Sequence, residues 1–260
     1  MRAPAAPRPR RLWPWLVAAV LAFAVLIGLG TWQLERLAWK EGLTATLTQR
    51  LAAPPVDLPP PQAWARLDPG THEFQRVKVR VTFPRPDQAL VYTVGSALRP
   101  DVKGPGHWVM ALGQIHGSQV PGGQILVNRG FLPQQTPAAA TAPPPPPTDP
   151  VELVGVLRWP ESRGWFTPKD DPGRNLWFAR DPAAIAAGKG WGPVAPFYLE
   201  QEAPAAPAGQ PQPGAIRASL PNNHLQYALT WYSLAAVFLV VFTSLFLRTR
   251  RGAARESDSA

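Results

Sequence analysis

Charged and apolar positions are unevenly spread along this chain, and the unevenness divides it. From Leu12 to Leu34 no residue carries a charge, and a helix of that length, rising about 1.5 Å per residue, reaches roughly 34 Å, enough to cross the hydrocarbon core of a bilayer. A second run, from Leu220 to Leu247, is equally free of charge when His224 is neutral. Roughly 180 residues of ordinary polarity lie between the two. The pattern predicts transmembrane helices over 12–34 and 220–247, tails over 1–11 and 248–260, and one domain over 35–219. A cleaved signal peptide is the rival for the first run, because Arg2, Arg8, Arg10 and Arg11 precede it and Ala22-Phe23-Ala24 resembles a cleavage triplet. Against that rival, the run continues past Ala24 and exceeds the about 7–15 apolar residues of a signal sequence.

In the middle region the period changes from helical to alternating. Val77, Val79, Val81 and Phe83 alternate with Arg76, Lys78, Arg80 and Thr82, the pattern of a strand with one buried face. Further strands are expected in ALVYTV from Ala89, WVMALGQI from Trp108, QILVNRGF from Gln124, VELVGVLRW from Val151 and PFYLE from Pro196. One short helix is expected in DPAAIAAGK, with Asp181 as N-cap, Pro182 at N1 and Gly188 near the stop. The expected fold class is membrane α plus β: two transmembrane helices, one near each terminus, flanking a mainly antiparallel, barrel-like β domain. Three proline-rich pieces punctuate it. APPVDLPPP from Ala53 reads as an extended connector, while TPAAATAPPPPPTDP from Thr136 and APAAPAGQPQPG from Ala203 should be solvated and extended rather than packed.

Charge sets the orientation. Four arginines precede the first span and Arg248, Arg250, Arg251 and Arg255 follow the second, which places both termini in the cytoplasm. The central domain is then periplasmic in a bacterial inner (cytoplasmic) membrane, or in the intermembrane space of a mitochondrion. The short segment before Leu12 favours the bacterial case. The tails account for about +6 of the formal charge of +9, so the basic balance reads as membrane anchoring rather than nucleic-acid binding. The absence of cysteine excludes disulfides, thiolate metal sites and thioether-linked haem.

Enzymatic motifs are weak. His72, His107 and His116 are scattered with no metal-ligand spacing, and Asp170-Asp171 sits in the turn-forming sequence TPKDDPGRN. The second span carries more. Asn222 or Asn223 suits a helix cap, and His224, Tyr227, Ala228 and Trp231 follow at i, i+3, i+4 and i+7 on one face. A neutral imidazole at the edge of an apolar slot with aromatic walls is suited to ligate a haem iron axially. An interfacial aromatic belt facing lipid headgroups gives the same pattern. At the exit from the first span Trp32, Arg36 and Trp39 share a face of what reads as an interfacial segment, the pattern of an aromatic belt with a snorkelling basic group.

The segment PNNHLQYALTWY from Pro221 resembles the hallmark of the Surf1/Shy1 family, which assists assembly of cytochrome c oxidase. GTWQLERLAWKEGL from Gly30, VDLP from Val56, EFQRVKVRVTF, VNRGFLP from Val127 and the run GWFTPKDDPGRNLWFARDP from Gly164 are similar to further blocks of that family, in the same order. The resemblance implies a non-enzymatic, multi-pass membrane assembly factor that binds haem a noncovalently and transiently and assists its insertion into, or stabilisation in, oxidase subunit I. It makes His224 the haem iron ligand, with Trp231, Tyr227, Trp32 and Arg36 as further cofactor contacts, and aligns Gln33 with the first-span motif. Subunit I, membrane lipid and haem a synthase are the expected partners, with no nucleic acid; whether the chain self-associates is left open. The alternative is a haem-independent scaffold that holds an oxidase assembly intermediate.

Overall fold

A computed structural model of the chain describes residues 13–116, 123–135, 142–217 and 222–258. The chain divides into two compact units, Met1–Leu43 with Pro221–Ala260, and Thr44–Leu220. Helix α1 (Trp13–Ala52) and the C-terminal helix α4 (His224–Asp258) both contain stretches long and apolar enough to cross a membrane. The first helix continues well beyond its apolar part, because TWQLERLAWKEGL contains no glycine or proline until Gly42 and is rich in good helix formers.

In the second unit, eight strands form one sheet: β1 (Val56–Asp57), β2 (Arg76–Thr82), β3 (Gln88–Gly95), β4 (Lys103–Ile115), β5 (Gln124–Pro133), β6 (Val151–Arg158), β7 (Leu176–Trp177) and β8 (Tyr198–Ala203). Their order is β1-β2-β6-β8-β5-β4-β3-β7. All six strands expected from alternation are present. The sheet is mixed, however, because β1–β2, β3–β7 and β5–β8 pair in parallel while the other pairings are antiparallel. The extra β2–β4 contact, Val81 with Ile115 and Thr82 with Gln114, brings the strand order round on itself. That seam is two residue pairs long and does not make the continuous ladder of a closed barrel.

Two apolar cores follow from strand alternation. Val77, Val79, Val81, Ile125, Val127, Leu153, Leu157, Phe197 and Leu199 meet on one face. Val91, Trp108, Met110, Leu112, Leu126 and Trp177 meet on the other, where helix α3 (Pro182–Lys189) covers them with Ile185 and Ala186. Asp181 caps α3 by accepting from the Ala183 and Ala184 N–H groups. The helix ends at Gly190, which takes the left-handed conformation at φ 64°; Gly188 lies inside the last turn. A four-residue helix α2 (Pro69–His72), capped by Asp68, precedes β2 and was not expected. It receives the end of α1, where the Arg50 guanidinium donates to the Glu73 and Gly70 carbonyls at 2.8 and 2.6 Å.

The described parts of the two proline-rich inserts are docked, contrary to expectation. Residues 136–141 of the first insert lie outside the described residues, but its later prolines pack on the domain. Pro144 O accepts from Arg129 Nη1 at 2.9 Å and from Gln88 Nε2 at 3.0 Å. Extended polyproline leaves its carbonyls unpaired, which makes it a ready acceptor for a buried guanidinium. Burial pushes Arg129 down to about 10. In the second insert, Gln212 exchanges both backbone hydrogen bonds with Phe131, and Gly214 O accepts from Arg99 Nη1 at 3.1 Å.

Between β4, β6, β8 and α3 lies a buried ion cluster. Glu200, 2% exposed, accepts from Arg180 Nη1 at 3.0 Å and faces Arg158 Nη1 at 3.5 Å. Arg180 also donates to Glu161, and its guanidinium lies 5.0 Å above the Trp108 ring. Burial alone would raise Glu161, but the charge and hydrogen bonds of Arg180 outweigh it and hold this carboxyl below the usual range. Because its folded value is depressed, Glu161 contributes stability that is complete above the unfolded carboxylate value of about 4.3 and lost as pH falls through the folded value. Glu161→Gln should therefore flatten the acid limb of stability against pH in a denaturation series. Glu200→Gln leaves two buried cations underpaired and should cost about 3–5 kcal/mol in the same assay.

Candidate functional site

The first unit is a pair of antiparallel helices whose seam can be read from burial. On α1 the inward positions are Ala19, Phe23, Leu26, Gly30 and Gln33; on α4 they are His224, Ala228, Trp231, Ala235, Phe238 and Phe242. Each series alternates steps of four and three, the spacing of a left-handed helix seam. Small residues allow close approach. A Cβ on Gly30 would lie 2.7 Å from the Tyr232 ring, and the Tyr232 hydroxyl hydrogen-bonds Thr31 Oγ1 at 3.1 Å.

Where the seam meets the start of α4, His224 Nδ1 lies 2.6 Å from Gln33 Oε1. Gln33 is buried and the imidazole half-buried. A carbonyl oxygen only accepts, so Nδ1 is the donor in this contact, and in a neutral imidazole the lone pair then lies on Nε2. The start of the helix is held as well. Asn222 Oδ1 accepts from the His224 N–H at 3.4 Å, and Asn223 O accepts from Tyr227 N at 3.2 Å, opening the helix.

The other expected residues take distinct places. Trp231 sits in the seam, two turns beyond His224 and part-buried. Tyr227 is 57% exposed and Trp32 51% exposed, both beside the seam rather than in it. Arg36 is also exposed and stacks on Trp39 at 4.5 Å. At about 100° per residue, Tyr227 lies about 60° to one side of His224, and Trp32 and Arg36 about 100° and 60° to one side of Gln33. Because the helices run antiparallel, these displacements fall on the same side of the pair. One flank thus carries Tyr227, Trp32 and Arg36 next to the imidazole. Sequence reading missed Tyr232 and Thr31 as a contact, and did not foresee Gln33 as the imidazole's partner. The only available signal was that Gly30 and Gln33 share a face of the first span.

In the domain, His72, His107 and His116 lie on α2, on β4 and just after β4. Asp170 and Asp171 act locally: Asp170 pairs with Arg163 and accepts from Phe178 N, while Asp171 caps the turn at Pro172–Arg174 and pairs with Arg174.

The chain matches the model of the SURF1 family over residues 20–236. It is 34% identical to Surfeit locus protein 1 of Homo sapiens over 251 residues, covering 92% of this chain and 79% of that protein. It is 34% identical to the protein of the same name from Rattus norvegicus, covering 88% and 74%. A SURF1-like protein of Drosophila melanogaster is 33% identical, covering 82% and 71%.

Gly30→Leu tests the seam. The added side chain must displace the Tyr232 ring, so the variant should lose about 1–3 kcal/mol in reversible unfolding from detergent, whereas Gly28→Leu, whose Cβ meets nothing within 4 Å, should not.

Proposed function

Because the chain belongs to the SURF1 family, we propose that it is a membrane-bound assembly factor for cytochrome c oxidase in which His224 holds haem a on its way to subunit I. The observation that carries this reading is the Gln33–His224 hydrogen bond. It supplies what an iron-binding histidine needs from its surroundings: one nitrogen fixed as donor, and the other left as a lone pair. When bound, haem a supplies an iron that accepts this lone pair and a porphyrin that needs apolar walls and a cation for its propionates. Tyr227 and Trp32 provide flat surfaces on the flank beside the imidazole, and Trp231 walls the seam beneath it. Arg36 is the cation on that flank, with a planar guanidinium suited to carboxylates. We place the chain in the bacterial inner membrane, with both termini cytoplasmic and the sheet domain periplasmic, and read it as a carrier rather than a catalyst. Haem a synthase fits as the donor and subunit I as the acceptor.

A second reading, a haem-independent scaffold, has its own observation. An open groove of about 670 Å³ starts at Asn222 and Asn223 and runs along α4 past Gln226, Leu229, Ser233 and Val237. Gln226 and Ser233 are polar side chains on the outer face of a membrane helix, where a hydrogen-bonding helix from an oxidase subunit would satisfy them.

Co-expression with haem a synthesis separates the two. Purified wild-type chain should show a Soret band, His224→Ala should lose axial ligation, and Gln33→Leu should keep the iron signal with affinity weakened about 10–100-fold. Equal haem content and an unchanged iron spectrum in wild type and His224→Ala would defeat the ligand role; retained association with subunit I in that variant would then favour the scaffold.

A further inference from the structure

The sheet domain buries its tryptophans with one exception. Trp64, Trp108, Trp177 and Trp191 are buried and Trp159 is part-buried, but Trp165 is 102% exposed and its neighbour Phe166 97%. Large aromatic side chains of this kind bury about 150–250 Å² each when they find a surface. Here they meet none among the described residues.

The segment that carries them is held rigidly. Thr167 N donates to Gly164 O at 3.1 Å and Thr167 Oγ1 accepts from Gly164 N at 2.9 Å, closing a turn with Trp165 and Phe166 at its two corners. Arg163 Nη1 donates to Pro168 O at 3.1 Å and the same guanidinium pairs with Asp170. Asp170 in turn accepts from Phe178 N at 2.9 Å, which ties the base of the loop to the sheet. The turn thus presents two adjacent rings without having to order itself first, so little conformational entropy is left to lose when they are buried.

We propose that the Trp165–Phe166 turn is a membrane-interface anchor that inserts both rings among the headgroups of the bilayer holding the chain's own helices. Three features favour lipid. Tryptophan is enriched at the headgroup level, where an indole keeps its N–H wet and its rings dry, and phenylalanine accompanies it on the buried faces of interface-lying segments. The exposed Lys169 follows three residues later, the type of cation that meets lipid phosphates. Two rings would not hold a free domain to a membrane, but a domain covalently joined to two spanning helices meets the bilayer at high effective concentration and needs only a weak contact to fix its orientation. This inference does not rest on the haem reading.

The chain has no cysteine, so a single introduced thiol can be labelled cleanly. Trp165→Cys and, separately, Phe166→Cys chains carry a polarity-sensitive dye in phosphatidylethanolamine–phosphatidylglycerol nanodiscs, with Lys103→Cys as the control position. Expected are blue-shifted emission at 165 and 166 and quenching by nitroxide lipids, strongest for labels about 5–10 Å below the headgroup boundary, with neither effect at 103. Water-like emission and no quenching at both loop positions overturn the proposal. A shift that develops only after an oxidase subunit is added overturns it too, and makes the turn a protein contact.

Discussion

The hydrogen bond between Gln33 and His224 is the constraint around which the helix pair is organised. The buried Gln33 amide oxygen meets the half-buried imidazole at the end of an otherwise largely apolar seam, and pairing there offsets the cost of burying a polar side chain. This pairing fixes the register. Gly30 then faces the Tyr232 ring, and Ala19, Ala228 and Ala235 supply the small positions that keep the backbones close. Hydrogen bonds between membrane helices contribute only about 0.6–2 kcal/mol. The stability of the pair must therefore come mainly from packing along the seam, and the polar contact matters more for what it does to the ring: it selects one tautomer and one orientation.

The domain solves a related problem with charges. Glu200 is nearly inaccessible and serves two arginines, while Glu73 and Glu161 meet the remaining sides of those guanidiniums. Removing such groups from water is costly, and a cluster of this kind is tolerated because each member is paired and the Trp108 ring lies against Arg180. The same logic explains the docked prolines. Arg129 is buried on β5 with the Gln88 side chain and the Pro144 carbonyl as acceptors, so a low-complexity insert becomes part of the core's polar accounting.

Much of the fold was legible because its signals are local. Alternation found six strands, and the Asp181–Pro182 pair found α3, since period and capping are properties of a few adjacent residues. What was not legible depends on partners distant in sequence. The two-residue strands β1 and β7 exist only because β2 and β3 offer them edges, and they make part of the sheet parallel. The proline inserts read as solvated by composition, yet Arg129 and Arg99 reach them across 15 and 115 positions. At the helix pair, the face of His224 was readable from helical spacing. The identity of the group touching its Nδ1 was not, because Gln33 lies 191 positions away.

The chemical nature of that partner bears on what a carrier must do. A histidine whose Nδ1–H is held by a carboxylate becomes a more basic, more tightly binding metal ligand. Here the acceptor is a neutral amide. It orients the ring, as a carboxylate would, but adds no negative charge that would strengthen a metal bond at Nε2 under the proposed ligand role. The imidazole is also only half-buried, at the start of its helix rather than deep within the seam. Under the proposed ligand role, both features would favour release. A protein built to keep a haem would be expected to enclose the ligand and charge its partner; under the proposed carrier function the ligand must instead be aimed and the grip moderate, and a neutral amide beside a half-buried imidazole suits that proposal.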